Sequence, residues 1–491
     1  VIDFFIDGVP CSAEIGETVI QAASKAGVNI PSFCWHKDLS VPGNCRICMV
    51  EVEDDRGGEP WFDISCNMPV TKGMRVLTDS ARVRELRKDT MQFITLNHPV
   101  DCGICNKSGE CLLQDHHFAY NGSPSLSRDA KTHATKFYPL SERIMLDNER
   151  CIMCSRCVRF TDEISKSHAL GVLHRGDHAL IRPNDDVDFD DDPYSDNVID
   201  ICPVGALLSR QLLDHARVWY LKATPSVCPG CERGCSINIW HRKAEWKLNA
   251  LDPQLNNSID RVTPLENLAV NGQWTCNKAR DLSRILERPR ALQPTVNGAA
   301  ATLLDALNEA AALIAAAKQP VALVSSWASN EELAAFHTTY ASAFTCFVKA
   351  DWLPQPGERI EDDVLIKPDK NPNRFAALGM FPAMPEHAPS AFPAGTDLVL
   401  VWGEGASMSA LPKGARVILL NSYDQPDNVG VDVLIPISVQ TERNGHYTNF
   451  EGTVTRFEQC FPKHKDVADA ATMFEAMFSM HMAAAPIGRS A

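Results

Sequence analysis

Two textures of hydrophobic and polar positions divide the chain. Up to residue 80, short apolar runs alternate with turns. Phe4-Phe5-Ile6 runs into Asp7-Gly8, and Cys48-Met49-Val50-Glu51-Val52 reads as another strand. Between them residues 18–26 carry helical spacing and stop at Gly27, a good C-terminal breaker. This mixture predicts a small α+β domain over residues 1–80. Residues 80–98 predict a helix with Val83, Leu86, Met91, Phe93, Ile94 and Leu96 as core positions. From 99 to 235 the chain is rich in Cys, Gly and Pro, with little long periodicity. Such a stretch buries too little apolar surface by itself, so bound metal is expected to hold it together.

After residue 280 the pattern becomes α/β. Residues 300–318 predict an Ala/Leu-rich helix, 321–324 a strand and 330–344 another helix. Residues 397–402, 416–420 and 432–435 read as buried parallel strands. Gly403-Glu404-Gly405 follows one of them but lacks the third glycine of a dinucleotide fingerprint, so it is expected to be a tight turn. Pro-rich stretches near 354–372 and 381–393 read as loops or linkers. The acidic run 185–196 does not match an EF-hand and reads as solvated surface.

Composition narrows the function. The apolar share is 45% and the charged share 22%, ordinary for a globular chain. A formal charge of −15 argues against nucleic acid as the main partner. No apolar run is long enough to span a bilayer, and no secretory signal is visible at the start of the sequence. Of 18 cysteines, sixteen lie at or before residue 276. That clustering suits metal ligands better than a disulfide scaffold.

The cysteines fall into four sets. The first is Cys34, Cys45, Cys48 and Cys66. Three ligands crowded around a Gly-containing loop, with a distant fourth, is the layout of a [2Fe–2S] ferredoxin site, with a longer first gap than the plant type. The second is His98, Cys102, Cys105 and Cys111, read as a [4Fe–4S] site with one imidazole ligand. The third is Cys151, Cys154 and Cys157, closed by Cys202 before Pro203, a bacterial-ferredoxin arrangement for a [4Fe–4S] cluster. The fourth is Cys228, Cys231, Cys235 and Cys276, again read as [4Fe–4S]. Zinc is the alternative at the first, second and fourth sets, strongest at the second and fourth. Arg150, Arg156 and Arg159 surround the third set, either favouring a reduced cluster or serving as ordinary surface charge. Cys11, Cys346 and Cys460 are expected to be buried small apolar residues, and His36 a packing residue.

These motifs carry a resemblance. Residues 97–115, from Asn97-His98-Pro99-Val100-Asp101-Cys102 to Leu113-Gln114-Asp115, resemble the one-His, three-Cys signature of the large iron–sulfur subunit of respiratory complex I, NADH:quinone oxidoreductase (the G-type subunit in bacteria, the 75-kDa subunit in mitochondria). Residues 150–160 and Asp200-Ile201-Cys202-Pro203-Val204-Gly205-Ala206-Leu207 resemble its next signature. The likeness covers residues 1–280 and continues more weakly through 444–452. Thr275-Cys276-Asn277-Lys278-Ala279-Arg280 is similar to the Cys-x-Lys-Gly-Arg of molybdopterin oxidoreductases, with Ala279 where Gly is usual.

The resemblance implies a multidomain α+β and α/β protein. Its expected parts are a [2Fe–2S] ferredoxin-like (β-grasp) domain at 1–80, a one-His, three-Cys segment at 81–120 and a ferredoxin-like [4Fe–4S] domain at 121–220. A molybdopterin-oxidoreductase-type [4Fe–4S] domain follows at 221–280, then a truncated molybdopterin-oxidoreductase-like α/β scaffold at 281–491. It implies one [2Fe–2S] and three [4Fe–4S] clusters, with no molybdopterin expected because only 215 residues follow Cys276. Electrons would enter the first cluster from the NADH-binding flavoprotein subunit. They would pass to the cluster on Cys151, Cys154, Cys157 and Cys202, then to the His98 cluster, and leave through a two-cluster ferredoxin-like subunit toward quinone. The fourth cluster resembles one of some bacterial members, off the main path. The implied place is the peripheral arm, on the cytoplasmic side of a bacterial inner membrane, beside other peripheral-arm subunits.

No Ser/His/Asp set, paired carboxylate or open metal position is evident, so the chain reads as an electron conduit without its own substrate chemistry. Two alternatives stand beside this reading. One is the matching subunit of a soluble NAD-linked hydrogenase or formate dehydrogenase; the other is a structural zinc module. Imidazole is neutral where thiolate is anionic, so His98→Cys should lower the midpoint potential of the second cluster. A redox titration followed by EPR that gives an unchanged or higher midpoint refutes that charge argument.

Overall fold

In the computed structural model, residues 1–53, 58–176, 178–246, 257–385, 392–425 and 430–484 are described. They form two units, Val1–Tyr220 and Leu221–Ala491. The first unit opens with a mixed sheet of β1 (Ile2–Ile6), β2 (Val9–Ala13), β3 (Met49–Glu53), β4 (Trp61–Ile64) and β5 (Arg75–Leu77), in the order β2-β1-β5-β3-β4. Strands β1 and β5 run parallel, and the other pairs antiparallel. Helix α1 (Val19–Lys25) crosses the sheet. Thr18 caps its start with Gln21 reaching back, and its apolar side packs Val19, Ile20, Ala22 and Ala23 on Phe4, Ile6, Val50 and Val76.

Helix α2 (Ala81–Thr95) starts at Ser80, whose side chain accepts from Val83 N–H. Its buried face differs from expectation. Val83 and Met91 are buried, but Phe93 is 78% exposed, and Leu96 is exposed too. The stripe i, i+4, i+8 from Val83 to Met91 passes through Arg87, and that register turns Phe93 outward. Arg87 is buried, donates to the Met49 carbonyl at 3.1 Å and lies over the Tyr120 ring.

The rest of the first unit is short elements. Helix α3 (Leu112–His116) is followed by β6 (Tyr138–Pro139), β7 (Ile144–Leu146), α4 (Arg156–Glu163), β8 (Leu170–Leu173), β9 (Leu180–Pro183), α5 (Asn197–Ile201) and β10 (Leu207–Ser209). The acidic run 185–196 is not all solvated surface. Asp192 and Asp196 are buried. Asp192 accepts from Ser165 and Ser167 at 2.6 and 2.7 Å, and Arg143 pairs with Asp196 at 2.5 Å.

The second unit begins with the antiparallel sheet β11 (Leu221–Val227), β12 (Ser236–Arg242) and β13 (Arg261–Pro264). Two short helices follow, α6 (Asn277–Arg280) and α7 (Leu282–Leu286). Beyond them lies a seven-stranded sheet. Its members are β14 (Thr295–Val296), β15 (Ala299–Ala300), β16 (Pro320–Val324), β17 (Thr345–Val348), β18 (Leu398–Trp402), β19 (Arg416–Asn421) and β20 (Val433–Pro436), in the order β15-β14-β20-β19-β18-β16-β17. The five strands β20-β19-β18-β16-β17 are parallel, as their continuous apolar runs predict.

Alternate residues of these strands feed two cores. Ala322, Val324, Leu398, Leu400 and Trp402 pack under α8 (Leu303–Ala316), α9 (Asn330–Tyr340) and α11 (Ala470–Ala484); Val321, Leu323, Val399 and Val401 face Met384, Phe392, Met408 and Leu411. Helix α10 (Arg374–Met380) adds Ala377 to the first core. Gly403 and Gly405 make the expected turn after β18. Both are left-handed, and a Cβ on Gly405 would stand 2.3 Å from the Ala350 carbonyl oxygen. Residues 354–372 carry no helix or strand, and 386–391 of the second Pro-rich stretch lie outside the described residues.

Phe336 is fully buried, with its ring against Trp402, Phe381 and Phe474. Phe336→Ala should cost about 3–5 kcal/mol of stability, whereas Phe93→Ala should stay within about 0.5 kcal/mol. Denaturant unfolding of the full chain, followed by Trp fluorescence, checks both.

Candidate metal centres

The first set is assembled by a strand register. Met49 of β3 faces Ile64 of β4, so Cys48 and Cys66 meet at one end of that ladder, and their thiols are hydrogen-bonded. Cys34 Sγ lies 3.3 Å from Cys45 Sγ. The loop between them turns left-handed at Gly43 (φ 64°), and Arg46 (φ 60°), just past Cys45, is left-handed as well. It sends the N–H groups of Asn44 and Cys45 to the Cys34 sulfur. Cys34 and Cys48 are held below the ordinary thiol range chiefly by the thiols of Cys45 and Cys66, which are raised by the same bonds.

The second set joins the end of α2 to the start of α3. Burial, with Arg150, Lys131 and Lys136 nearby, pushes His98 down to about 4. The imidazole is therefore neutral near pH 7. Its Nδ1 is buried with no hydrogen-bond partner, the condition a metal-binding nitrogen requires. Cys105 is buried, Cys111 half-buried and Cys102 exposed. Burial raises the Cys105 and Cys111 thiols, and the charge of Cys102 adds to both.

In the third set, Cys151, Cys154, Cys157 and Cys202 line one pocket, walled by Leu146, Ile152, Ile181, Val204 and Leu207. Met153 (φ 53°) and Ser155 (φ 57°) are left-handed without being glycine. That alternation curls the ligand loop inward, and the N–H groups of Met153 and Arg156 reach the Cys151 and Cys154 sulfurs. Burial pushes Cys151 up to about 12 and Cys154 to about 11, and raises Cys157 further.

The fourth set sits where β11 and β12 meet. Val227 pairs with Ser236, and Cys228 N–H donates to the Cys235 carbonyl at 2.8 Å. Cys276 precedes α6, whose Lys278 and Ala279 N–H groups reach its sulfur. Burial raises Cys228 and Cys235, and pushes Cys276 up to about 11. Lys278 packs beside Gly230, where a Cβ would stand at ordinary contact distance, 3.4 Å, from Cys228 Sγ and Lys278 Cδ. Lys278 Nζ is 2.6 Å from Glu358.

Among the described residues, no three or more His, Cys, Asp or Glu side chains are gathered tightly enough for a single ion. A tetrahedral zinc site draws four donors to within about 2.3 Å of one point. The third set lines one shared pocket. The donors throughout are soft sulfurs and one neutral imidazole, the chemistry that takes iron–sulfur groups.

Residues between the sets were not evident from spacing. Leu112, next to Cys111, donates its N–H to the Pro203 carbonyl at 3.0 Å. A Cβ on Gly205 would fall 2.2 Å from Cys105 Sγ. The segment that closes the third set therefore also packs on the second. Arg150 and Arg156 are 3% and 8% exposed, which ends their reading as surface charge. Arg150 pairs with Asp101 at 2.6 Å and Asp147 at 3.2 Å. Arg217 donates to the Gly103 carbonyl at 2.9 Å and to that of Cys105. Burial and the neighbouring Arg156 and Arg159 push His36 down to about 4; its Nδ1 accepts from Asp38 N–H at 3.3 Å. Of the remaining cysteines, Cys346 is in the core as expected, while Cys11 and Cys460 are only half-buried.

Comparison with known proteins gives each set a class. Residues 1–81 match the 2Fe-2S iron-sulfur cluster binding domain, and 87–123 the NADH-ubiquinone oxidoreductase-G iron-sulfur binding region. Residues 141–208 match the ferredoxin-like domain of NADH-quinone oxidoreductase subunit 3, and 221–288 the Fe4S4 domain of molybdopterin oxidoreductases. The four candidate sets fall one in each. The chain thus contains 2Fe–2S and 4Fe–4S binding domains up to residue 288.

It is 38% identical over 301 residues to the mitochondrial NADH dehydrogenase [ubiquinone] iron-sulfur protein 1 of Solanum tuberosum, covering 61% of this chain and 38% of that protein. It is 34% identical over 358 residues to the G-type subunit of the NADH-quinone oxidoreductase of Rickettsia bellii, covering 72% of this chain and 48% of that protein. Among solved structures, an NAD+-reducing [NiFe]-hydrogenase in the H2-reduced state aligns at TM-score 0.40 and 27% identity, over 44% of this chain and 91% of that chain. The chain is similar to the large iron–sulfur subunit of complex I, and its match spans less than half the length of those relatives.

Gly205→Ala should force Cys105 or the 202–205 segment aside and lower iron content, because the new Cβ lands on a sulfur. Gly171→Ala meets nothing within 4 Å and should leave it unchanged. Iron and acid-labile sulfide analysis of the two variants decides.

Proposed function

We propose that this chain conducts electrons from an NADH-oxidising flavoprotein subunit toward quinone, as part of the peripheral arm of a bacterial NADH:quinone oxidoreductase. In this reading Cys34, Cys45, Cys48 and Cys66 hold a [2Fe–2S] cluster. His98, Cys102, Cys105 and Cys111 hold a [4Fe–4S] cluster, as do Cys151, Cys154, Cys157 and Cys202, and Cys228, Cys231, Cys235 and Cys276. No pterin is assigned to residues 281–491. Such clusters supply one-electron exchange with little ligand movement. The protein's part is to fix spacing, exclude water and set the surrounding charge.

One observation carries the reading. Hydrogen-bonded and close-packed links inside the first unit join the first set to the third and the third to the second, while the first set's neighbour Phe33 meets the second set's side only through the His116 ring, at 5.0 Å. Arg156 bonds the Trp35 and Ile201 carbonyls, beside Cys34 and Cys202, and the Pro203–Gly205 stretch touches Leu112 and Cys105. That is not the order along the sequence. It is the order in which the resemblance passes electrons. Among the described residues no helix is long and apolar enough to cross a membrane, which suits a peripheral position.

Anaerobic purification should yield a brown protein that dithionite bleaches, with iron and acid-labile sulfide in equal amounts. Its native form should co-elute with flavoprotein and membrane subunits. A colourless protein with stoichiometric zinc refutes the conduit, and co-elution with soluble hydrogenase subunits would reassign the complex.

A further inference from the structure

We propose that Arg156 and Arg159 couple the first cysteine set to the third, setting both reduction potentials and the rate of electron exchange between them. The inference rests on the function proposed above. Both side chains leave the start of α4, Arg156 between the ligands Cys154 and Cys157 and Arg159 two residues past Cys157. Arg156 donates to the Trp35 carbonyl at 2.6 Å and the Ile201 carbonyl at 3.1 Å. These are the backbone neighbours of Cys34 and Cys202. Its Nε is buried with no hydrogen-bond partner. Arg159 is closer still to the ligands. One nitrogen, Nη2, donates to the Cys34 carbonyl and lies 3.4 Å from the Cys154 carbonyl, while Nη1 donates to Ser40. A single guanidinium nitrogen thus bridges a ligand residue of each set.

The surroundings make the pair more than a clasp. The thiols of Cys34 and Cys154 both act electrostatically on both arginines, so each charge is felt at two sites. Arg156 bonds to carbonyls, and a buried cation held by carbonyls alone leaves its charge to be balanced by the sulfur sets on either side. Glu163 partly offsets Arg159 and also accepts from Ser40 N–H at 2.8 Å. Asn44 Nδ2 to the Met153 carbonyl, at 3.1 Å, adds an uncharged link between the same loops. The loops therefore have contacts that do not need the arginines, and what the arginines add is charge and a short bonded route. A guanidinium stays protonated, so no proton moves with the electron. One electron leaves the first centre, which is oxidised by one, and enters the third, which is reduced by one. Electronic coupling falls off more slowly along bonds and hydrogen bonds than through space.

The test uses the native complex with all clusters present. Arg159→Gln removes the charge; Arg159→Lys keeps it and loses the fork. Arg82→Gln, an exposed arginine of α2, controls for net charge. In Arg159→Gln the EPR midpoints of both centres should fall by about 59 mV, a tenfold shift in a one-electron equilibrium. In Arg159→Lys the midpoints should stay, while exchange between the two centres after pulsed reduction slows about tenfold. Arg82→Gln should change neither. Wild-type midpoints and exchange in Arg159→Gln overturn the proposal. So does loss of either cluster from both Arg159 variants with the other clusters intact, since that marks a purely structural clasp. Wild-type protein without iron would instead overturn the proposed function itself.

Discussion

A thiol moved away from water resists ionisation, because its charged form loses more solvation than its neutral form. This chain moves many of them inward together. Cys151, Cys154, Cys157, Cys228, Cys235 and Cys276 are all raised by burial first, and then by neighbouring thiols of their own sets. Such groupings are unfavourable as bare thiolates and favourable around a cationic metal core. Much of the architecture serves that balance. Strand registers return distant cysteines to one place, left-handed turns point N–H groups at sulfur, and arginines stand behind the loops.

The two units meet this constraint differently. In the first, apolar cover is concentrated on the sheet beneath α1, and the Cys-rich stretch beyond it has short elements with polar cross-links. Arg150, Asp101, Asp147 and Lys136 form one such network, with distances from 2.6 to 3.3 Å. In the second, a hairpin and one short helix present four cysteines, and a separate sheet with two apolar cores supplies bulk stability. Polar cross-links and hydrophobic burial thus share the work unevenly along the chain.

The legibility of the sequence follows the same division. Parallel strands such as 398–402 are readable because burial on both faces leaves unbroken apolar runs. The cysteine sets are readable because their spacing is rigid and their residue type rare. Helix α2 is readable in extent but not in orientation, since Arg87 takes a place in the buried stripe where pattern rules expect an apolar residue. Asp192 and Asp196 look like solvent-facing charge until their partners, far off in sequence, are known. Arg217 and Gly205 leave no local mark either, because each is defined by a contact about a hundred residues away.

The segment Cys202-Pro203-Val204-Gly205 belongs to two neighbourhoods at once. Its cysteine faces one cage of sulfurs, and its glycine makes room for a sulfur of another. In the function proposed above, filling either centre would order the shared strip for its neighbour, so cofactor loading in this part of the molecule would be coupled through four consecutive residues.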